Sequence, residues 1–241
     1  MRYFTLLLFL FFKSTFSYAQ WTDLNTGIND NLTGVVFLDE NGLASGANGL
    51  YYTTTGGAGV GSWTRFEITN NTANAAIYEN TVFTHCYTNQ TNTSNTGFVY
   101  ACGQDTATNK AIIIKIALPS LAYEIKYVGS VNSKLNKMDY SNSQGKYIAV
   151  GDDGLLLTFT DTALTTINTE LTDDLLSISS SSSSILMGSD QKVFRASLGG
   201  SSIGNVTEVA TPNIINTDVA LASNASYTYA LGDNVFSHTD L

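Results

Sequence analysis

Three features of the sequence predict an all-β chain built from repeated antiparallel sheets. Only 13% of the 241 residues are charged, about half the roughly 25% usual in soluble chains, while Gly (20), Tyr (13) and Phe (12) are abundant beside Ser, Thr and Asn. A Gly-centred pattern of two apolar runs around a polar turn recurs five times. The two Trp residues sit in two matching stretches, one directly after the first twenty residues and one inside the first repeat. Together these read as a β-propeller of four-stranded antiparallel blades, five in number, closed by an N-terminal strand that completes the last blade.

Composition comes first because it excludes most alternatives. Low charge rules out a coiled coil or a long solvated helix, and a 43% hydrophobic fraction argues against disorder. β-branched, aromatic, Gly and Asn residues suit strands joined by tight turns.

Met1–Gln20 carries a basic residue, Arg2, then the apolar run Tyr3–Phe12, then a polar stretch ending Ser17-Tyr18-Ala19. That is the pattern of a secretory signal, cut after Ala19, with an uncleaved anchor as the alternative. Residues 20–241 are then a single domain, secreted or periplasmic, with no membrane insertion after cleavage. Losing Arg2 and Lys13 leaves nine basic against 20 acidic residues, so the net charge moves from −9 to −11. Such a chain repels polyphosphate and anionic lipid, and a nucleic-acid partner is not expected.

The repeated Gly falls at 46, 103, 151, 188 and 232. A strand-like run precedes each b strand: Leu32–Leu38, Val82–Tyr87, Leu135–Tyr140, Leu175–Ser179 and Asn216–Leu221. A fourth run follows in units one to four: Trp63–Ile68, Tyr123–Val128, Leu164–Asn168 and Asn205–Val209. Each unit therefore reads as strands a–b–c–d. The b–c turns carry Asn48-Gly49, Asp153-Gly154 and Asp233-Asn234, residues that tolerate positive φ. Unit five stops at Leu241 without a d strand. Trp21-Thr22-Asp23-Leu24 matches Trp63-Thr64-Arg65-Phe66, so Trp21 and Trp63 mark equivalent d strands and the first closes the ring. The long second unit, roughly residues 70–130, has room for a further blade. A β-sandwich would also show many short strands, and a truncated propeller would also lack a last strand. Neither accounts for both the repeat and the Trp match.

Cys86 and Cys102 flank a polar turn between two β-type runs. If those runs pair about Ser94, the two face each other and a cross-strand disulfide is possible; two free thiols are the alternative. His85 points to the face opposite Cys86.

The stretch Leu32–Phe37, Gly42–Gly49, Thr53–Gly57 and Ser62-Trp63 resembles a blade of the photosystem II assembly and stability factor-like propellers, which belong with the sialidase-like Asp-box (BNR) repeats. The Asp-box is roughly Ser/Thr-x-Asp-x-Gly-x-Thr-Trp in the turn between strands c and d. Unit one keeps Thr53, Gly56, Gly57 and Trp63 but lacks the Asp, and unit three keeps only Thr160-Asp161. The resemblance implies a propeller. It leaves function open, because the group includes glycosidases, assembly chaperones and secreted proteins.

Chemistry is narrowed by counting. Sialidases hold a carboxylate with three arginines, and after signal removal only Arg65 and Arg195 remain. Glycosidase carboxylates could come from Asp152, Asp153, Asp190 and Asp233, each just after a repeated Gly; their turn positions are the simpler explanation. His85 and His238 are the only histidines, and no nucleophile elbow, phosphate loop or zinc spacing accompanies them. No cofactor, metal or catalytic residue is assigned. The expectation is a non-catalytic scaffold that binds a protein or glycan, with a carbohydrate-active hydrolase using paired Asp residues at the channel as the alternative.

Overall fold

A computed structural model of the chain describes residues 26–90, 96–190, 192–199, 202–209, 220–223, 228–231 and 235–238. The expected signal segment, Trp21 with its expected ring-closing role, and Asp233 lie outside the described residues.

The strands form successive antiparallel sheets, each a simple meander. The first blade is β1 (Leu32–Leu38), β2 (Asn41–Gly46), β3 (Gly49–Thr53) and the short β4 (Thr64–Arg65). The second is β5 (Thr81–Tyr87), β6 (Gly97–Asp105), β7 (Lys110–Leu118) and β8 (Tyr123–Asn132). The third is β9 (Leu135–Ser141), β10 (Lys146–Gly151), β11 (Leu156–Phe159) and β12 (Leu164–Ile167). The fourth is β13 (Ser177–Ser180), β14 (Ser184–Gly188), β15 (Val193–Gly199) and β16 (Ser202–Val209). A last sheet holds β17 (Ala220–Ser223), β18 (Thr228–Leu231) and β19 (Val235–His238).

The first strands of successive sheets, β1, β5, β9, β13 and β17, lie side by side, which is the radial order of a propeller. The expected count of five four-stranded blades is corrected: four sheets have four strands, and the fifth has three among the described residues. No comparable packing joins the last sheet to the first among those residues, so they do not close a ring. Nor does unit two hide another blade. Its extra length goes into strands of nine and ten residues and into helix α1 (Thr72–Glu79). Asn71 caps that helix by accepting from the Ala73 and Asn74 N–H groups. The buried Tyr78 hydroxyl then ties α1 to blade one, donating to the Phe66 carbonyl at 2.7 Å and accepting from Leu50 N–H at 3.0 Å.

Each blade feeds two cores because side chains alternate along a strand. On β6, Val99 and Ala101 enter the core shared with blade one, while Tyr100 and Cys102 enter the core shared with blade three. On β7, Ile112, Ile114 and Ile116 face blade one and Ile113 faces blade three. On β10, Tyr147 and Ala149 face blade two, while Ile148 and Val150 face blade four. Burial on both faces explains why the middle strands read as unbroken apolar runs. Each such aliphatic side chain contributes about 1.5–3 kcal/mol.

The repeated Gly has a steric cause. The a–b pairing slips by one residue between Phe83 and His85, and again between Val150 and Gly151. These bulges push the a-strand backbone against the end of strand b. A Cβ on Gly103 would lie 2.0 Å from the Val82 carbonyl oxygen, and one on Gly151 1.9 Å from that of Lys134. No side chain fits there.

The hairpin register on the turn side of that bulge decides the cysteines. Cys86 pairs with Ala101, and Cys102 pairs with His85. A one-residue offset puts the two thiols on opposite faces of the sheet, so the expected disulfide is not formed and both are free and buried. Cys86 belongs to the first core and Cys102 to the second. Burial pushes the thiols up, to about 11 for Cys86 and about 12 for Cys102, so neither is a thiolate at neutral pH.

Hydrogen bonds link β1 to β5, β5 to β9 and β9 to β13. Thr33 Oγ1 donates to the Phe83 carbonyl at 3.0 Å, and Thr84 Oγ1 to that of Leu135 at 2.6 Å. His85 Nδ1 accepts from Met138 N–H at 3.3 Å. Asp139 Oδ2 accepts from Ser180 N–H at 2.6 Å and from its hydroxyl at 2.8 Å. The run Ser179–Ser184 is mostly strand: its turn is only Ser181–Ser183, after Ser180, and Ser179 and Ser184 are buried strand residues.

Gly151→Ala is expected to cost about 3 kcal/mol or more, because backbone rather than a flexible side chain blocks the new methyl. Gly199→Ala, with open space around its Cβ, is the comparison variant and should be close to neutral; chemical denaturation of the two measures the difference. The second prediction concerns pH. Burial, helped by Lys137, lowers the His85 pKa to about 3 from 6.5, so the folded state keeps the ring neutral while the unfolded chain protonates it. Stability contributed by the neutral ring is therefore full above pH 6.5 and lost as pH falls toward 3, at up to about 1.4 kcal/mol per pH unit. His85→Asn, which keeps an acceptor but cannot titrate, should flatten denaturation midpoints between pH 6.5 and 4.5 relative to the parent chain.

Candidate binding cleft between the second and third blades

Tyrosines gather where blades two and three meet, at one end of their strands. Tyr100 comes from β6, Tyr147 from the start of β10, Tyr140 from the end of β9 and Tyr87 from the end of β5. The ring centroids of Tyr100 and Tyr147 are 4.4 Å apart, and those of Tyr140 and Tyr147 4.9 Å. Tyr147 also lies nearly parallel to Phe159, at 5.2 Å and 15°. Such edge and offset contacts fix ring orientation as well as burying area. Tyr100 and Tyr147 are buried, and Tyr87 and Tyr140 are half-buried.

Above this floor is a concave cleft of about 380 Å³. Its aromatic wall is Phe98, Tyr100, Tyr140 and Tyr147. Its polar wall is Asn89, Gln90, Thr160, Asp161 and Thr162, with Gly145 at the rim. Local bonds hold that polar wall in place. Asn89 Oδ1 accepts from the Tyr147 hydroxyl, and Gln90 Oε1 accepts from Phe98 N–H at 3.0 Å. Thr160 closes its turn by accepting from Ala163 N–H at 3.2 Å.

Asp161 is the charged centre of the cleft. Its Oδ1 accepts from the Tyr100 hydroxyl and from Lys115 Nζ, the latter at 2.7 Å. Lys115 in turn sits 3.7 Å from the centre of the Phe98 ring, a cation–π contact. The lysine and tyrosine bonds hold the Asp161 carboxyl below its ordinary pKa, although the side chain is 57% exposed. Burial, reinforced by Asp161, pushes the Tyr100 phenol up, and burial puts Tyr147 at about 12. At neutral pH the cleft thus offers neutral hydroxyls, amides and one carboxylate.

Comparison with solved structures gives the same architecture. The extracellular domain of the putative hybrid two component system BT4673 from B. thetaiotaomicron superposes with a TM-score of 0.64 at 13% identity over 91% of this chain. The β-propeller domain of Myceliophteria thermophila Cps50 (Swd1) matches at 0.60 and 10% identity, covering 89% of this chain and 72% of its own. YCF48 from Cyanidioschyzon merolae matches at 0.58 and 11% identity, covering 87% and 69%. This chain is a β-propeller. It spans only 28% of the length of the B. thetaiotaomicron chain. No family model matches the sequence, and no curated protein is similar to it in sequence.

Within the propeller, the aspartates singled out from sequence lie away from the cleft. Tyr147 is the second residue of β10 and Asp152 follows its far end, about 16 Å along the strand. Asp152 Oδ1 accepts from Asn136 Nδ2 at 2.9 Å and lies 3.8 Å from Lys134 Nζ. Asp153 takes the left-handed conformation (φ 52°) in that b–c turn, and its N–H donates to Asp174 Oδ1 at 3.0 Å. Asp190 is exposed after β14. Trp63 packs the c–d loop of blade one, donating from Nε1 to the Gly57 carbonyl at 3.0 Å and meeting Phe37 edge-on at 5.7 Å. No group of three metal-ligating side chains occurs among the described residues.

Sequence reasoning missed the tyrosine cluster and met Asp161 only as an Asp-box remnant. The available signal was Tyr at the equivalent end of neighbouring b strands, three residues before Gly103 and four before Gly151. In Lys115→Met, the Asp161 carboxyl should titrate at a higher pH than in the parent chain, since its largest stabilising bond is gone; side-chain NMR across an acid titration reads the shift. An unchanged midpoint would mean that the lysine does not hold the carboxylate.

Proposed function

We propose that the propeller is an exported, non-catalytic module that holds a protein or glycan partner in the cleft between blades two and three. The observation that carries this reading is the cleft: concave, rich in fixed aromatic rings, and edged by side chains with hydrogen-bonding capacity. Supporting it are the secretory pattern of Met1–Gln20 and the fold likeness to a domain described as extracellular. Among the described residues no helix is long and apolar enough to cross a membrane. On this reading residues 20–241 are one domain, and the Thr53–Trp63 loop is a degenerate Asp-box kept for packing: the indole is anchored on a backbone carbonyl with no Asp present.

The test uses the full chain expressed with its own leader. The exported form should begin at Gln20. Immobilised, it should capture ligands from a glycan array or a peptide array saturably and without turnover. Capture should survive Asp152→Asn and Asp190→Asn and fall about tenfold or more in Tyr140→Ala. Hydrolysis of a glycan that disappears in Asp152→Asn would instead establish the hydrolase reading.

A further inference from the structure

We infer that the ligand of this cleft is a neutral saccharide chain, an assignment that rests on the cleft being the binding site. The chemistry of the lining carries it. Its hydrophobic residues are all aromatic, with no Leu, Ile, Val or Met, and the rest are amide, hydroxyl and carboxylate side chains and a glycine. Aromatic faces are electron-rich at the centre and attract the weakly positive C–H groups of a flat ring. A pyranose presents C–H groups on its faces and hydroxyls at its edge, so one ligand satisfies both walls.

Charge removes the acidic alternatives. Lys115 is engaged by Asp161 and covered by Phe98. Lys126, the other nearby cation, is paired with Glu124 at 3.0 Å and donates to the Asp161 carbonyl. An anionic ligand would find the ionised Asp161 and no unpaired ammonium group. That carboxylate is half engaged: Oδ1 accepts twice, while Oδ2 makes no hydrogen bond among the described residues. An exposed, unpaired carboxylate oxygen is a strong acceptor for a ligand hydroxyl.

Shape favours a sugar over a peptide. At about 380 Å³ the cleft is at the small end of small-molecule sites, whereas a protein partner usually covers roughly 800 Å² per side. Among the described residues the cleft is walled by strand ends, by Asn89 and Gln90 after β5 and by the loops after β9 and β11, and it exposes no strand edge along which a peptide could add. Its half-buried Tyr140 is the platform on which a ring can stack.

The experiment is calorimetric titration of the full chain with neutral hexasaccharides of glucose, mannose and xylose, and with oligogalacturonate and an acidic peptide for comparison. At least one neutral chain should bind with a Kd of about 1 mM or tighter. Tyr140→Ala should weaken it about tenfold or more, and Asp161→Asn severalfold. Should Tyr140→Ala fail to fold, the exposed Asp161→Asn variant decides. Preference for oligogalacturonate, absence of binding by every neutral chain, or indifference of neutral-chain binding to Asp161→Asn would overturn the assignment. Peptide binding lost in the cleft variants would remove the saccharide but leave the cleft as the binding site; binding that ignores the cleft altogether would remove both.

Discussion

The close approach of strand a to the end of strand b is the constraint on which the rest of this propeller depends. At Gly103 and Gly151 the carbonyl oxygens of Val82 and Lys134 occupy the space of a Cβ. The bulge that brings them there shifts the a–b register by one residue. Along β6 the side chains alternate, Val99 and Ala101 toward blade one and Tyr100 and Cys102 toward blade three. On the turn side of the bulge Cys86 pairs with Ala101 and His85 with Cys102, so the two thiols lie on opposite faces and His85 can accept from Met138 N–H.

Once register is set, the blades are joined by two kinds of interaction with different consequences. Apolar burial between sheets is large and non-directional. The bonds from Thr33, Thr84, His85 and Asp139 to the next innermost strand are few and directional. A typical bond of this kind adds only about 1 kcal/mol net, but leaving its buried partner unmatched costs more. They therefore fix how one blade sits against the next rather than supplying most of the stability. That precision matters for the cleft, whose aromatic wall is drawn from two blades: a small slip would part Tyr100 from Tyr147 or pull Asp161 from Lys115.

The cleft illustrates how a propeller gains a site without altering its frame. Tyr100 and Tyr147 are core residues at one end and cleft residues at the other, since burial of the ring leaves the hydroxyl at the rim. Asp161 and Asn89 come from turns, which can vary while the strands stay fixed. The aspartates after the repeated Gly do the opposite work. Asp153 accommodates a left-handed turn and Asp152 is tied to Asn136, so both serve the b–c connection.

The sequence alone determined the meander of short strands, the a–b–c–d order, the positions of the repeated Gly and the reading of Asp153-Gly154 as a positive-φ turn. These are local properties, set by period-two patterning and by backbone sterics at single residues. Tertiary structure decided what spacing could not. The hairpin register put Cys86 opposite Ala101 and the two thiols on opposite faces, because a one-residue offset in pairing is invisible in an apolar run that is buried on both sides. The excess length of unit two became α1 and long strands rather than a blade, with Tyr78 bonding to Leu50 and Phe66 far from it in sequence. The described residues give four four-stranded blades and a three-stranded sheet. The tyrosine cleft arises only when β6 and β10 are brought side by side, since its rings lie tens of residues apart and no pattern along the chain obliges them to meet.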